Sequence, residues 1–198
     1  MGFGPIVEGS SPSPPAINIE MNVSGVILAA GKGTRMKSNI PKVLHPVSGK
    51  KLVLYALEVI EDINTKYIVV GHEAEKVIEA VPDSLNVVIQ EEQKGTGHAI
   101  SILLDDKQFA NDTSEYILVI PGDVPMINRD DIKNLIKKVI DSNSSIGFLS
   151  SKVSNPFGYG RVIQQEGQIK IVEEKDCTED ERLINEINSG IYCFEKKF

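Results

Sequence analysis

The sequence predicts an α/β protein with a mainly parallel central sheet, helices on both faces of that sheet, and a smaller, partly antiparallel lobe. Short apolar, β-branched runs alternate with segments whose apolar residues recur at spacings of three and four. After Tyr159 the pattern changes to shorter strands. With 198 residues, 41% of them hydrophobic, the chain is long enough for one domain with a sizeable core, and it contains no run of 18 apolar residues.

Each element follows from the local pattern. Buried strands bounded by turn residues are predicted at 25–30, 67–71, 86–90, 116–123 and 146–153. Amphipathic helices are predicted at 51–62, 97–106 and 129–141. Their alternation implies right-handed crossovers and a sheet covered on both faces. The smaller lobe is predicted to contain strands at 159–164, 168–174 and 187–195, with a polar helix near 178–184.

Two features bear on domain organisation and compartment. Residues 1–21 are rich in Pro, Ser and Gly without a period, so we interpret them as a flexible leader and place the folded domain at 22–198. Cys177 and Cys193 show neither a CxxC motif nor zinc-ligand spacing. We therefore expect ordinary thiols in a reducing compartment and a cytoplasmic protein.

The charge is unevenly distributed along the chain. The formal net charge is −7, with a pI near 5.1, which argues against general binding to nucleic acid or to an anionic membrane. Yet the residues between Glu20 and Glu58 include six cations and no acid, which leaves a charge of −13 for the rest. This local excess favours a small anionic ligand, although a solvated lysine face would have the same composition.

Ligands of open α/β sheets bind beyond the carboxyl ends of the strands, so the loops that follow the strands are the candidate site. The first loop lies within "LAAGKGTR", residues 28–35. It is not a P-loop, because Val26 and Gly33 stand where that motif needs glycine and Ser or Thr, and Met36 replaces the third glycine of a dinucleotide fingerprint. What remains is a glycine turn whose amides can approach an anion, beside Arg35, which can grip phosphate oxygens.

The second loop, "QEEQKGTGHA", suits a base. Gln90 and Gln93 can each donate and accept hydrogen bonds, as the edge of a base such as uracil requires, and Gly95 and Thr96 open a helix with free amides. His98 is expected to pack or hydrogen-bond locally rather than to act as a base, because no nucleophile accompanies it.

The third loop, "GDVP", contains Asp123 directly behind a strand and a glycine. A single carboxylate there can bind magnesium, which takes its remaining ligands from phosphates and water. A turn or helix-capping aspartate is the alternative interpretation.

In their order and spacing these motifs resemble the sugar-phosphate nucleotidyltransferase family. "LAAGKGTRM", "PKVLH", "QEEQKGTGHA", "GDVP", "NPFGYGRV", "IVEEKD" and "NEINSGIY" are together similar to the uridylyltransferase domain of the bacterial bifunctional UDP-N-acetylglucosamine pyrophosphorylases, which also carry a glucosamine-1-phosphate acetyltransferase half. The similarity runs from about Val23 to Tyr192. It implies a Rossmann-like nucleotidyltransferase fold, and a Mg²⁺-dependent reaction of UTP with N-acetylglucosamine 1-phosphate that gives UDP-N-acetylglucosamine and pyrophosphate for cell-wall biogenesis.

The resemblance also implies site residues. Arg35 and Lys42 would be catalytic, acting on the triphosphate, and Asp123 would bind Mg²⁺. The implied nucleotide contacts are Leu28, Ala29, Ala30, Gly31, Gln90, Gly95 and Thr96. The implied sugar contacts are Gly122, Gly160, Glu173 and Asn188.

Departures from the family leave alternatives open. Pro121 stands where some relatives have an aromatic residue. The family's domain continues beyond the position of Phe198 and supplies an asparagine as second metal ligand, so we expect a domain truncated at its C-terminus, without that ligand and without the hexapeptide repeats of an acetyltransferase. Whether this chain turns over by itself, and whether the full-length protein is a homo-oligomer, stays open. The alternatives are a nucleotidyltransferase for glucose 1-phosphate or another base, and a non-catalytic nucleotide-sugar binding module.

Overall fold

A mixed sheet of eight strands organises the part of the chain that the computed structural model describes, which is residues 22–33, 36, 38, 40–165 and 167–197. In chain order the strands are β1 (Val23–Ala29), β2 (Pro46–Val47), β3 (Lys50–Lys51), β4 (Thr65–Val70), β5 (Asn86–Ile89), β6 (Tyr116–Pro121), β7 (Ile146–Lys152), β8 (Arg161–Gln165), β9 (Gln168–Val172) and β10 (Glu186–Glu195). β2 and β3 form a separate antiparallel pair.

Helices cover both faces of the large sheet, as predicted. They are α1 (Leu52–Val59), α2 (Ala74–Ile78), α3 (Thr96–Asp105), α4 (Lys107–Ala110), α5 (Arg129–Asp141) and α6 (Glu179–Arg182), with 3-10 turns at Lys42–Leu44 and Glu174–Asp176. One apolar cluster joins the sheet to α1, α2 and α5, and a second joins its other face to α3 and α4. Within the described ranges, no helix combines the length and the apolar character needed to cross a membrane.

The first half of the sheet is parallel. β1 lies between β4 and β6, and β5 lies outside β4, all in the same direction. β1, β4 and β6 are buried over most of their length on both faces, which is why they appear in the sequence as continuous apolar runs rather than as alternating patterns. β5 lies at the edge of the sheet, where Val88 is buried and Ile89 is 57% exposed. The predicted mainly parallel arrangement is confirmed for these four strands.

The second half departs from the predicted series. β7 has the direction of β6 but does not pair with it, because β10 lies between them and is antiparallel to both. Burial holds β10 in this place, since Ile191 is 3% exposed and Cys193 is 0% exposed. β8 and β9 form the antiparallel lobe, which is continuous with the main sheet because Ile187 of β10 pairs with Arg161 of β8.

The insertion of β10 positions the site. Since β10 runs opposite to β6, its first residues lie at the edge where β1, β5 and β6 end. Residues from the end of the chain therefore join the loops behind the parallel strands. The leader predicted at 1–21 lies outside the described residues.

Candidate active site

A cavity of about 360 Å³ opens at the carboxyl ends of the parallel strands. The structure brings ten of the sequence-predicted site residues to its wall: Leu28, Ala30, Gly31, Lys42, Gln90, Gly95, Thr96, Asp123, Glu173 and Asn188. The wall also contains Gln93, which the sequence pairs with Gln90 as suited to a base, and residues outside the predicted set, among them Gly33, Pro121, Gly190 and Tyr192. Loops behind three parallel strands and the start of one antiparallel strand thus meet at one place.

The backbone at Gly33 makes room for Lys42. Gly33 has a φ of +60°, which favours glycine, and a Cβ placed on it would lie 2.8 Å from the Cβ of Lys42. Lys42 begins the 3-10 turn that follows Pro41 and contacts Gly33 across this gap. The second glycine of "GKG" is therefore a packing requirement for the lysine.

Lys42 and Asp123 face each other in the cavity. Their side chains form an ion pair and are 40% and 23% exposed, so both charges remain accessible to a ligand. Gly122 brings Asp123 close to β1: its N–H donates to the oxygen of Leu28 at 2.9 Å, and a Cβ there would lie 3.1 Å from Val43 Cγ1. Two charges from separate loops therefore meet where strands β1 and β6 end.

One end of the cavity presents amide groups. Gln90 is 2% exposed, and its Nε2 lies 2.8 Å from Nδ1 of His98. Gln93 Nε2 donates to the backbone oxygen of Gln90 at 3.1 Å. The helix α3 begins here after Gly95, whose φ of +102° favours glycine. The local hydrogen bond expected for His98 is present, and its partner is the glutamine predicted to read the base.

The other end presents a carboxylate, an amide and a phenol. Asn188 Oδ1 accepts from the Gly190 N–H at 3.0 Å, and its Nδ2 donates to the Tyr192 hydroxyl at 2.6 Å. The Tyr192 hydroxyl accepts from Asn188 and so keeps its own proton for another acceptor. Burial raises the pKa of Tyr192, and the nearby Glu173 charge adds to that shift. The phenol therefore stays protonated and can donate into the cavity.

Sequence reasoning missed Tyr192. A register shift in β10 between Asn188 and Tyr192 interrupts the regular alternation of side chains, so the spacing of these residues did not reveal that the phenol lies beside Asn188. Pro121 also lines the cavity, and Gly190 accommodates it: a Cβ on Gly190 would lie 3.1 Å from Pro121 Cγ.

The Glu173 loop is held by a neighbouring ion pair. Arg161, which is 1% exposed, donates to Glu174 at 2.8 Å and also to the oxygen of Tyr159. The Gly158 N–H donates to the same Glu174 oxygen at 2.9 Å. Hydrogen bonds from Gly158 and Arg161 hold the pKa of Glu174 below its usual value. These contacts of Glu174 join the β7–β8 connection to the segment that carries Glu173.

Three predicted residues lie behind the wall, and one lies outside the described residues. Ala29 is 1% exposed and packs in the apolar cluster on the α1 face. Gly122 packs against Leu28, and Gly160 lies against Glu173, where a Cβ would approach its Oε1 to 3.2 Å. Arg35 is not among the described residues. Its role, like the ligand contacts assigned to the other residues, stays a prediction.

No group of three or more His, Cys, Asp or Glu side chains that could hold a metal ion occurs within the described ranges. Asp123 therefore offers a single carboxylate, beside Lys42. Such a donor set does not form a complete protein cage for an ion. It suits a hard cation that takes most of its ligands from phosphate oxygens and water.

The fold and the site together define the class of protein. Among solved structures, a putative glucose-1-phosphate thymidylyltransferase from Bacillus anthracis superimposes with a TM-score of 0.74 at 22% identity, covering 88% of this chain and 72% of its own. A protein described as mannose-1-phosphate geranyltransferase, from Thermus thermophilus, superimposes with a TM-score of 0.71 at 20% identity, covering 89% and 58%. The fold is therefore the predicted Rossmann-like nucleotidyltransferase fold. The family of MobA-like NTP transferase domains matches residues 25–168, and the chain belongs to it.

Curated relatives are more similar in sequence. The chain is 42% identical over 181 residues to the bifunctional protein GlmU of Clostridioides difficile strain 630, and 46% identical over 182 residues to GlmU of Clostridium novyi strain NT. Each match covers 89% of this chain and 39% of the relative. The similarity expected from the motifs is thus confirmed, and the chain spans 39% of the length of these relatives.

Proposed function

We propose that this protein transfers a uridylyl group from UTP to N-acetylglucosamine 1-phosphate, giving UDP-N-acetylglucosamine and pyrophosphate. The observation that carries the proposal is the meeting of Lys42 and Asp123 in a cavity with amide groups at one end and hydroxyl- and carboxylate-bearing residues at the other. The identity of 42% and 46% to two GlmU proteins supports this reaction over other nucleotidyl transfers.

The reaction demands charge neutralisation and alignment. An oxygen of the sugar phosphate attacks the α-phosphorus of UTP, a P–O bond forms, and the bond to the bridging oxygen of pyrophosphate breaks. The nucleophile is already an anion, so no protein base is needed. His98 is accordingly free to bind Gln90. Lys42 would offset negative charge at the α-phosphate, and Arg35 would stabilise the departing pyrophosphate.

The chain's donor set fits magnesium. The carboxylate of Asp123 would hold the ion, with the remaining ligands supplied by phosphate oxygens and water, and the ion would supply further charge neutralisation. Lys42 occupies the same carboxylate in the described structure, so Lys42 and the ion would share or exchange this contact. Lys42 then has two acceptors available, the Asp123 carboxylate and the phosphate.

The two ends of the cavity suit the two substrates, the nucleotide at the amide end and the sugar phosphate at the other. Gln90 and the amides at the start of α3 would bind the uracil and the ribose, and Gly31 and Gly33 would let the loop backbone approach the phosphates. Glu173, Asn188 and the Tyr192 hydroxyl would hydrogen-bond the acetamido sugar. These opposite placements would bring the sugar phosphate and the α-phosphate together beside Lys42.

The test measures pyrophosphate release and binding together. The 198-residue chain and the full translated product of its gene are incubated with Mg²⁺, each of UTP, dTTP, CTP, ATP and GTP, and each of N-acetylglucosamine 1-phosphate and glucose 1-phosphate. We expect release to be fastest with UTP and N-acetylglucosamine 1-phosphate. Equal rates with all triphosphates would remove the uracil assignment. Titration with UDP-N-acetylglucosamine that shows binding, without turnover in either form, would instead favour a binding module.

A further inference from the structure

The amide end of the cavity contains a hydrogen bond between the Gln90 carboxamide and the His98 imidazole. Gln90 Nε2 lies 2.8 Å from His98 Nδ1. With the carboxamide nitrogen facing the ring, Gln90 donates, Nδ1 accepts and the His98 proton is on Nε2; a ring protonated on Nδ1 pairs with the Gln90 oxygen instead. The bond joins a residue directly behind β5 to the first turn of α3. It leaves the Gln90 carbonyl oxygen as the group that can face a ligand.

The neighbouring glutamine has its orientation set by the backbone. Gln93 Nε2 donates to the backbone oxygens of Gln90 and Glu91, both at 3.1 Å. Backbone oxygens can only accept, so this carboxamide cannot turn over without losing both bonds. Gly71 leaves the necessary space, since a Cβ there would lie 2.9 Å from Gln93 Nε2. None of the residues that the structure describes bonds to the Gln93 carbonyl oxygen, so it is also available to a ligand.

Gln90 differs from Gln93 because its hydrogen-bond partner is the His98 imidazole, which can carry its proton on either ring nitrogen. A histidine protonated on Nδ1 would donate, and Gln90 would then turn its oxygen to His98 and its NH₂ group to the cavity. No hydrogen bond to Gln90 Oε1 is made by the described residues, so His98 alone among them engages this carboxamide. The position of the proton on the His98 ring therefore determines whether Gln90 presents an acceptor or a donor to a base in the cavity.

We propose that His98 is a positioning residue that selects uracil by orienting the Gln90 carboxamide. With Nδ1 accepting, Gln90 Oε1 faces the cavity and can accept from the imide N3–H of uracil or thymine. Cytosine has an acceptor at N3, so its lone pair would meet the Gln90 lone pair. This inference rests on the proposed function, since it assumes that the amide end binds the base of a pyrimidine nucleotide. The inference adds a physical reason for the preference for UTP over CTP.

The test compares UTP with CTP binding by calorimetry, without turnover, in the wild-type chain and two variants. His98→Leu keeps a side chain of similar size but removes both ring nitrogens and so the acceptor. His98→Asn can place a carboxamide oxygen where Nδ1 lies. We expect the wild type to bind UTP at least about 10-fold more tightly than CTP, since an unmatched buried polar contact costs that much or more. In His98→Leu the ratio should fall to about threefold or less, and in His98→Asn it should return toward the wild-type value.

Ser101→Ala is the matched control, because Ser101 is an exposed residue of the same helix. It should leave the ratio and both affinities unchanged, and thermal unfolding should show that all variants are folded. A UTP-to-CTP ratio in His98→Leu equal to that of the wild type would overturn the inference, including the case in which both affinities fall in proportion. If the wild type binds neither nucleotide, or binds them equally, the result contradicts the proposed function itself, because that function assigns uracil to the amide end of the cavity.

Discussion

Replacing Lys42 by methionine should separate catalysis from stability. The substitution keeps most of the side-chain stem and removes the charge that faces Asp123. Because the two side chains are 40% and 23% exposed, water screens the pair, and its loss should lower the free energy of unfolding by less than about 1 kcal/mol. A fixed charge aimed at a transition state, by contrast, contributes about 10²–10³-fold to kcat.

The assay is pyrophosphate release under saturating UTP and N-acetylglucosamine 1-phosphate, with urea unfolding of the same preparations. We expect Lys42→Met to lower kcat by about 10²–10³-fold and to change the affinity for the sugar phosphate by less than about threefold. Lys50→Met is the matched control, because Lys50 also forms an ion pair, with Glu58, but does not line the cavity. Equal losses in kcat and in sugar-phosphate affinity, or an unchanged kcat, would refute the role of Lys42.

A second variant displaces the lysine without removing it. Gly33→Ala introduces a Cβ that would lie 2.8 Å from Lys42 Cβ, at a backbone φ of +60°. We expect a stability cost of about 1–2 kcal/mol from the left-handed conformation and a loss of kcat smaller than that of Lys42→Met. Wild-type kcat in Gly33→Ala would show that the lysine's position is not critical.

Three further outcomes follow from the site and the fold. Tyr192→Phe removes a hydroxyl that accepts from Asn188 at 2.6 Å, so KM for the sugar phosphate should rise about 5- to 10-fold while KM for UTP stays unchanged. Tyr55→Phe is the control, because it loses a hydrogen bond to Val47 away from the cavity, and it should change neither KM. Glu174 has a pKa below its ordinary 4.5, so its contribution to stability is complete above about pH 4.5 and is lost as the pH falls through the lower folded-state pKa. In urea unfolding between about pH 6 and pH 3, the free energy of unfolding of Glu174→Gln should fall less steeply with decreasing pH than that of the wild type. The same pH dependence in both proteins would contradict this. Burial raises the pKa of the Cys193 thiol to about 12, so Ellman's reagent at about pH 8 should modify it only as fast as the protein unfolds, and a rapid reaction in the native protein would be inconsistent with this burial.

Local pattern was sufficient for the long elements. The helix predicted at 129–141 is α5, Arg129–Asp141, because its apolar residues recur on one face over more than three turns and Asn128 caps its start. The parallel strands were recognisable because burial on both faces requires continuous apolar runs. The five-residue α2 and the four-residue α4 were missed, since so few residues do not establish a period.

The partners of the strands were not readable in the same way. β7 follows a strand–helix unit and has the direction expected of a parallel neighbour of β6, yet β10 pairs with β6 instead. The choice depends on the burial of Ile191 and Cys193 between two other strands, which is a contact between distant parts of the chain. Tyr192 was missed for this reason, because its position at the cavity follows from where β10 lies.

By itself the sequence determined the class of fold, the glycine loop with its cations, the glutamine and aspartate that follow later strands, and the family to which these motifs belong. Those features are encoded locally, in residue type and spacing. Only the tertiary structure decided that Lys42 pairs with Asp123, that Tyr192 lines the cavity beside Asn188, and that His98 bonds to Gln90. The first and the last of these join side chains from different segments, and Tyr192 reaches the cavity because β10 pairs with β6. All three require the folded sheet, because hydrogen bonds and ion pairs act over a few ångströms whatever the separation along the chain.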